Sequence, residues 1–179
     1  METKARSVTK EGEPDGWVAP RGFRAQVASD GTTRLVVSAP PDEIPAIHGR
    51  LLAALGTPVS VRYVRLTDRV HGQLEKPESY VRMDMPRAQL EELLAERPAL
   101  IWRDGRHQLW VRGKFGEQLV LDEIGAIFCY PDDPSFREAM GDLPETKAVG
   151  IDGRDYVKVH FVAEADEQER SLLAMLIKV

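Results

Sequence analysis

Apolar and polar residues alternate along much of this chain, and helical spacing replaces the alternation in a few well-bounded stretches. Val59, Val61 and Tyr63 fall on one side of an extended segment with Ser60 and Arg62 on the other, which predicts a strand over 59–66. Gly22–Ala28 and Thr32–Ser38 flank Asp30-Gly31, a dipeptide that readily supplies the positive φ of a tight hairpin turn. The same dipeptide recurs at Asp104-Gly105 and Asp152-Gly153. From Leu100–Arg103 through Gln108–Arg112, Gln118–Leu121 and Ala126–Tyr130 the pattern predicts a meander of four strands. Within it, Gly113-Lys114-Phe115-Gly116 forms a hairpin turn rather than a phosphate-binding loop. Tyr80–Met85 and Tyr156–Val162 add two more strands, the latter with Val157, Val159 and Phe161 on one face, and 67–77 is expected to be a loop.

Helical spacing is clearest for Ile44, Ile47, His48, Leu51, Leu52 and Leu55, opened by Pro40-Pro41-Asp42-Glu43 and closed by Gly56. Ser38 is placed to help cap this helix. A second helix spans 87–96 on Leu90, Leu93 and Leu94 and is stopped by Pro98. A short one passes through Phe136 and Met140. A last one begins at Asp166 as N-cap, with Glu169 three residues on, and continues through Leu172 and Leu173. Residues 176–179 fit either helix or strand. The expectation is an α+β fold: mainly antiparallel sheet including a four-stranded meander (about 99–130), with two to four helices packed against it. Residues 1–16, polar and broken by Gly12, Pro14 and Gly16, read as a flexible tail ahead of a single α+β domain over 17–179, with a sub-boundary near 86 as the alternative.

Composition narrows the function classes. The 179 residues carry a net charge of −5, divided as +2 over 1–90 and −7 over 91–179. That balance lacks the basic footprint of nucleic-acid binding, and no apolar run reaches the roughly 18 residues of a membrane span. The N-terminus has no signal-peptide pattern, so the expected location is cytoplasmic. One cysteine, Cys129, excludes an internal disulfide. No metal site is expected, because His48, His71, His107 and His160 lack ligand spacing and the Asp122-Glu123 and Asp132-Asp133 pairs flank opposite ends of one strand. No cofactor motif is present, and no catalytic residue is assigned. Cys129 with His160 is the one nucleophile–base pairing the strands could bring together. Arg62, Arg65 and Arg69 split across two strand faces and make no patch.

Surface chemistry is what remains. Trp102 and Trp110 straddle Asp104-Gly105, and Tyr130 leads into Asp132 and Asp133. Together with Asp122 and Glu123 these seven residues form the expected contact surface for another protein, one of basic character given the acidic half that carries them. The corresponding function is a small non-catalytic binding protein of adaptor, inhibitor or immunity type, with no nucleic-acid or membrane partner and with self-association left open. The alternatives are an enzyme, such as a hydrolase, with dispersed catalytic residues, or a small-ligand-binding regulatory domain.

Overall fold

The structure is a computed structural model that describes residues 4–70, 72–149, 154–158 and 163–179. Ten strands and five helices follow one another among these residues. They are β1 (Ala5–Val8), β2 (Gly22–Val27), β3 (Thr33–Ser38), α1 (Ile44–Ala53), β4 (Val59–Asp68), β5 (Gly72–Met85), α2 (Arg87–Ala95) and α3 (Pro98–Arg103). The remainder are β6 (His107–Arg112), β7 (Gln118–Leu121), β8 (Ile127–Tyr130), α4 (Pro134–Met140), β9 (Asp155–Lys158), α5 (Ala163–Leu173) and β10 (Ile177–Lys178). Eight strands form one antiparallel sheet in the order β10-β5-β4-β6-β7-β8-β3-β2, and β1 pairs with β9 in a separate ribbon. The fold is α+β, as the pattern predicts.

All five helices lie on one face of the large sheet. Each contributes to a single apolar cluster: Ile47 and Leu51 from α1, Leu90 from α2, Leu100 from α3, Phe136 from α4 and Leu172 from α5. The strand residues in that cluster share one side, with Tyr63, Leu109, Leu121, Ile127, Val37 and Phe23 in direct register across six strands. Val36, Val64 and Val120 are also buried, but they lie outside this cluster and point to the opposite face. Strict period-two alternation sorts the side chains in this way.

Several expectations need correction. Leu100–Arg103 is not the first strand of a meander but helix α3, so the meander has three strands, β6 to β8. Pro98, expected to stop a helix, instead starts this one, where its missing N–H costs nothing. The apolar run 99–101 is buried by the helix as completely as a strand would bury it, and a run that short carries no period. Residues 67–77 are not a loop but the outer arms of the β4–β5 hairpin, where Pro77 falls in the unpaired stretch between Gln73 and Glu78. The presumed tail is partly strand, because Ala5–Val8 pairs antiparallel with Asp155–Lys158, Ala5 opposite Lys158 and Val8 opposite Asp155. Finally, α5 begins at Ala163, so Asp166 sits in its first turn, where it pairs with Arg69 and Arg106 instead of capping. Nor is Ser38 the N-cap of α1, a position held by Glu43; the Ser38 hydroxyl donates to the Pro20 carbonyl at 2.7 Å. The turn expected at Asp152-Gly153 and the residues His71 and His160 lie outside the described residues.

Asp30-Gly31 turns its hairpin as expected, with Gly31 at φ 84°. Asp104-Gly105 serves another purpose. A Cβ on Gly105 would lie 2.3 Å from the Lys4 carbonyl oxygen, so glycine is needed there because the N-terminal backbone passes so close. Lys4 itself is only 2% exposed. Its ammonium lies 3.2 Å from His107 Nε2 and donates to the Ile101 and His107 carbonyls at 3.4 Å. Burial lowers its pKa to about 8.

Next to Lys4 lies a layer of buried charge. Asp104 and Arg106 are almost wholly enclosed, and the carboxylate receives the Arg106 backbone N–H and guanidinium at 2.9 Å. Arg106 also reaches Asp166 at 3.0 Å, and Tyr63 donates its hydroxyl to Glu169 at 2.6 Å. Arg65 joins Asp68 at 2.7 Å and Glu169 at 3.4 Å. These contacts bolt α5 to β4 and β6. His48 of α1 is also fully buried, and desolvation together with the Lys4 charge lowers its pKa to about 4.

Two predictions test this packing. Gly105→Ala should lower stability by about 1–3 kcal/mol, the usual cost of forcing an added methyl into a filled site, and should expose 4–8 to protease. Unchanged denaturation and unchanged proteolysis would show that the N-terminal strand does not pack against Gly105. His48 is neutral when folded and protonates more readily when unfolded, so stability should fall as pH drops from 6.5 towards 4. His48→Leu should flatten that decline in chemical denaturation, and an equally steep acid limb in the variant would contradict the assignment.

Candidate functional site

The helix-free face of the sheet is where side chains capable of recognition converge. One row crosses all eight strands in direct register: Ile177, Val81, Arg62, Trp110, Val120, Phe128, Val36 and Arg24. The neighbouring row on the same face contains Ser60, Arg112, Gln118 and Tyr130. Arg34, two residues from Val36 and therefore on the same side, completes the group. This face carries four arginines, Arg24, Arg34, Arg62 and Arg112, and three aromatic rings, with Asp84 of β5 beside Ser60 and the Glu123 carboxylate at the rim.

The side chains are held in place by one another. The Arg34 guanidinium lies 4.3 Å from the centre of the Phe128 ring and donates to the Tyr130 hydroxyl and to Gln26 Oε1. Arg62 donates twice to the Ser79 hydroxyl, at 2.8 and 3.1 Å. The Trp110 indole N–H donates to Gln108 Oε1 at 3.0 Å. The hydrogen bonds of Arg34 and Arg62 thus go to neutral groups, which orient both cations without cancelling their charge. Beneath them Val36, Val64 and Val120 are shielded from water by these larger neighbours. Towards the β10 edge the face becomes apolar, with Ile177 71% exposed and Met83 65% exposed.

Of the seven expected contact residues, Trp110 and Tyr130 come together on this face, on β6 and β8. The others are elsewhere or already engaged. Trp102 lies on α3 with its ring edge-on to His48 at 5.3 Å, on the far side of the core, so the two tryptophans do not pair. Asp122 is buried in the β7–β8 turn and accepts the N–H groups of Ile124 and Ala126 at 3.0 and 2.8 Å. Burial, reinforced by the Glu123 charge, raises its pKa to about 7. Glu123 accepts from Gln108 Nε2 at 2.7 Å at the rim of the open face. Asp132 is clamped by Arg137 through two bonds of 2.6 and 2.7 Å. Asp133 caps α4, accepting the Ser135 N–H at 2.8 Å. The acidic tip is therefore a local brace, because a carboxylate so placed meets its nearest cation or helix end before it meets solvent.

The arginines are what the sequence reading missed. Arg24, Arg34, Arg62 and Arg112 are dispersed over 89 positions, and only the strand order places them together. The available signal was the parity of each strand: every one of these arginines occupies the polar phase of its alternation.

Among the described residues nucleophilic chemistry gains no support from geometry. Cys129 is fully buried in the apolar cluster, and burial together with the Asp132 charge pushes its thiol far above the ordinary range. Among the described residues no three His, Cys, Asp or Glu side chains are grouped to hold a metal ion, and no helix is long and apolar enough to cross a membrane. No family model, curated protein or solved structure matches the chain.

Proposed function

We propose that this is a non-catalytic protein-binding domain that engages its partner through the helix-free face of the sheet. The observation that carries this reading is the eight-strand row centred on Arg62, Trp110 and Phe128, in which aromatic and arginine side chains are held in place and backed by buried valines. Tryptophan, tyrosine and arginine are the residue types that dominate binding energy at protein interfaces. A contact surface of this kind also gains from side chains that are already ordered, since less rotamer entropy is lost on association. The charge on the face makes an acidic partner surface the complementary one. This reading departs from the basic partner expected from overall composition, since Asp122, Asp132 and Asp133 are engaged within the fold.

The test is affinity capture with the wild-type protein and with an Arg62→Glu/Arg112→Glu variant, at low and at high salt. Both arginines are exposed, so the double reversal should keep the circular dichroism spectrum of the folded protein. The reading predicts recovery of a stoichiometric acidic protein by wild type, weakened by salt and reduced about tenfold or more by the reversal, equivalent to about 1.4 kcal/mol. Trp110→Ala should reduce recovery under both salt conditions. Undiminished capture by both variants would overturn the assignment of this face.

A further inference from the structure

On the opposite side of the molecule, a cleft of about 410 Å³ opens between the N-terminal segment and the body of the fold. Its roof runs from Lys4 to Ala19. Its floor consists of the end of β3 with Pro40 and Pro41, the start of α1, Trp102 of α3, and the β7–β8 turn from Ile124 to Ala126. The volume lies within the range of about 300–1,000 Å³ typical of small-ligand sites. The lining is mostly apolar, with two indoles, three prolines and several aliphatic side chains.

Both indoles are fixed from behind. The Arg154 guanidinium sits 4.6 Å from the centre of the Trp17 ring and pairs with Asp15 at 3.2 Å, and Asp15 also accepts the Trp17 backbone N–H at 2.9 Å. Trp102 is backed by the buried His48 ring. The roof is held by the Lys4 ammonium, by the Ser7 hydroxyl donating to Asp15 at 2.8 Å, and by the β1–β9 ribbon. Because Lys4 turns its charge inward, the other charged residues at the cleft are Arg6 on β1 and Asp42 ahead of α1, both exposed. Neither forms an ion pair with a described residue. An uncharged occupant would leave both charges without a partner. An occupant carrying one charge would satisfy only one of them.

We propose that this cleft binds a small zwitterionic aromatic compound, of the chemical class of a free aromatic amino acid. Its ring packs against Trp17 and Trp102, its carboxylate meets Arg6 and its ammonium meets Asp42. The ammonium also gains from the indole faces, which attract cations. The site is separate from the arginine face and does not depend on the function assigned to it.

Isothermal titration of the full chain with tryptophan, indole-3-propionate and tryptamine tests the idea, because the three probes share a ring and differ only in charge. Tryptophan should bind at least about tenfold more tightly than either of the others. Arg6→Gln should reduce tryptophan to the level of tryptamine, and Asp42→Asn should reduce it to the level of indole-3-propionate. Absence of binding by all three, equal binding by all three, or a ranking that neither variant alters would each overturn the proposal. The wild-type ranking alone decides the matter should either variant fail to fold.

Discussion

The structure depends on a sheet of eight strands being covered on one face only. Five helices bury the side that carries Tyr63, Leu109, Leu121 and Ile127, and the other side must keep its own valines from water. It does so with large amphipathic side chains: Arg34 lies over Phe128, and Arg62 and Trp110 stand beside each other in register. A face built in this way is ordered before any partner arrives, and its arginines retain their charge because their bonds go to neutral groups. The proposed function follows from that constraint, since residues recruited to shelter a half-covered sheet are also those suited to recognition.

At one end of the sheet the packing is ionic. Asp104 and Arg106 are buried as a pair, and Glu169 collects the Tyr63 hydroxyl and the Arg65 guanidinium. Such a layer adds little net stability over an apolar equivalent, but losing one member leaves a buried charge uncompensated at a cost of about 3–5 kcal/mol. Every carboxylate in it faces a cation or hydrogen-bond donor within the fold. We therefore read this layer as positioning α5 and the N-terminal segment, not as chemistry. Lys4 extends it to the chain's first described residue, which is how the roof of the cleft is tied to the core.

Much of this was legible in the sequence. Helices α1 and α2 and strands β2, β3, β4 and β6 to β8 follow from period and turn chemistry alone. What failed did so for identifiable reasons. Leu100–Ile101 is equally apolar as helix or strand, and Pro98 can end one helix or begin the next. Asp104-Gly105 looked like a second Asp30-Gly31, yet one glycine serves backbone conformation and the other serves the close passage of a distant strand. The docking of Lys4 had no local signal, because its partners Ile101 and His107 lie 97 and 103 residues away. Of the candidate face, Trp110 and Tyr130 stand out in the sequence as aromatics of the meander, whereas four arginines from four strands can be grouped only once strand order is known, and sequence does not reveal that Arg137 and the α4 terminus engage Asp132 and Asp133.

The three tryptophans offer the most direct measurement of where the protein makes contact. Trp110 lies on the open face, and Trp17 and Trp102 line the cleft on the other side. Their indole N–H resonances can be followed by ¹⁵N-resolved NMR as the captured protein partner is titrated in. The account predicts that the Trp110 signal shifts or broadens with binding while those of Trp17 and Trp102 stay in place. Movement of the cleft tryptophans with Trp110 unchanged would contradict it.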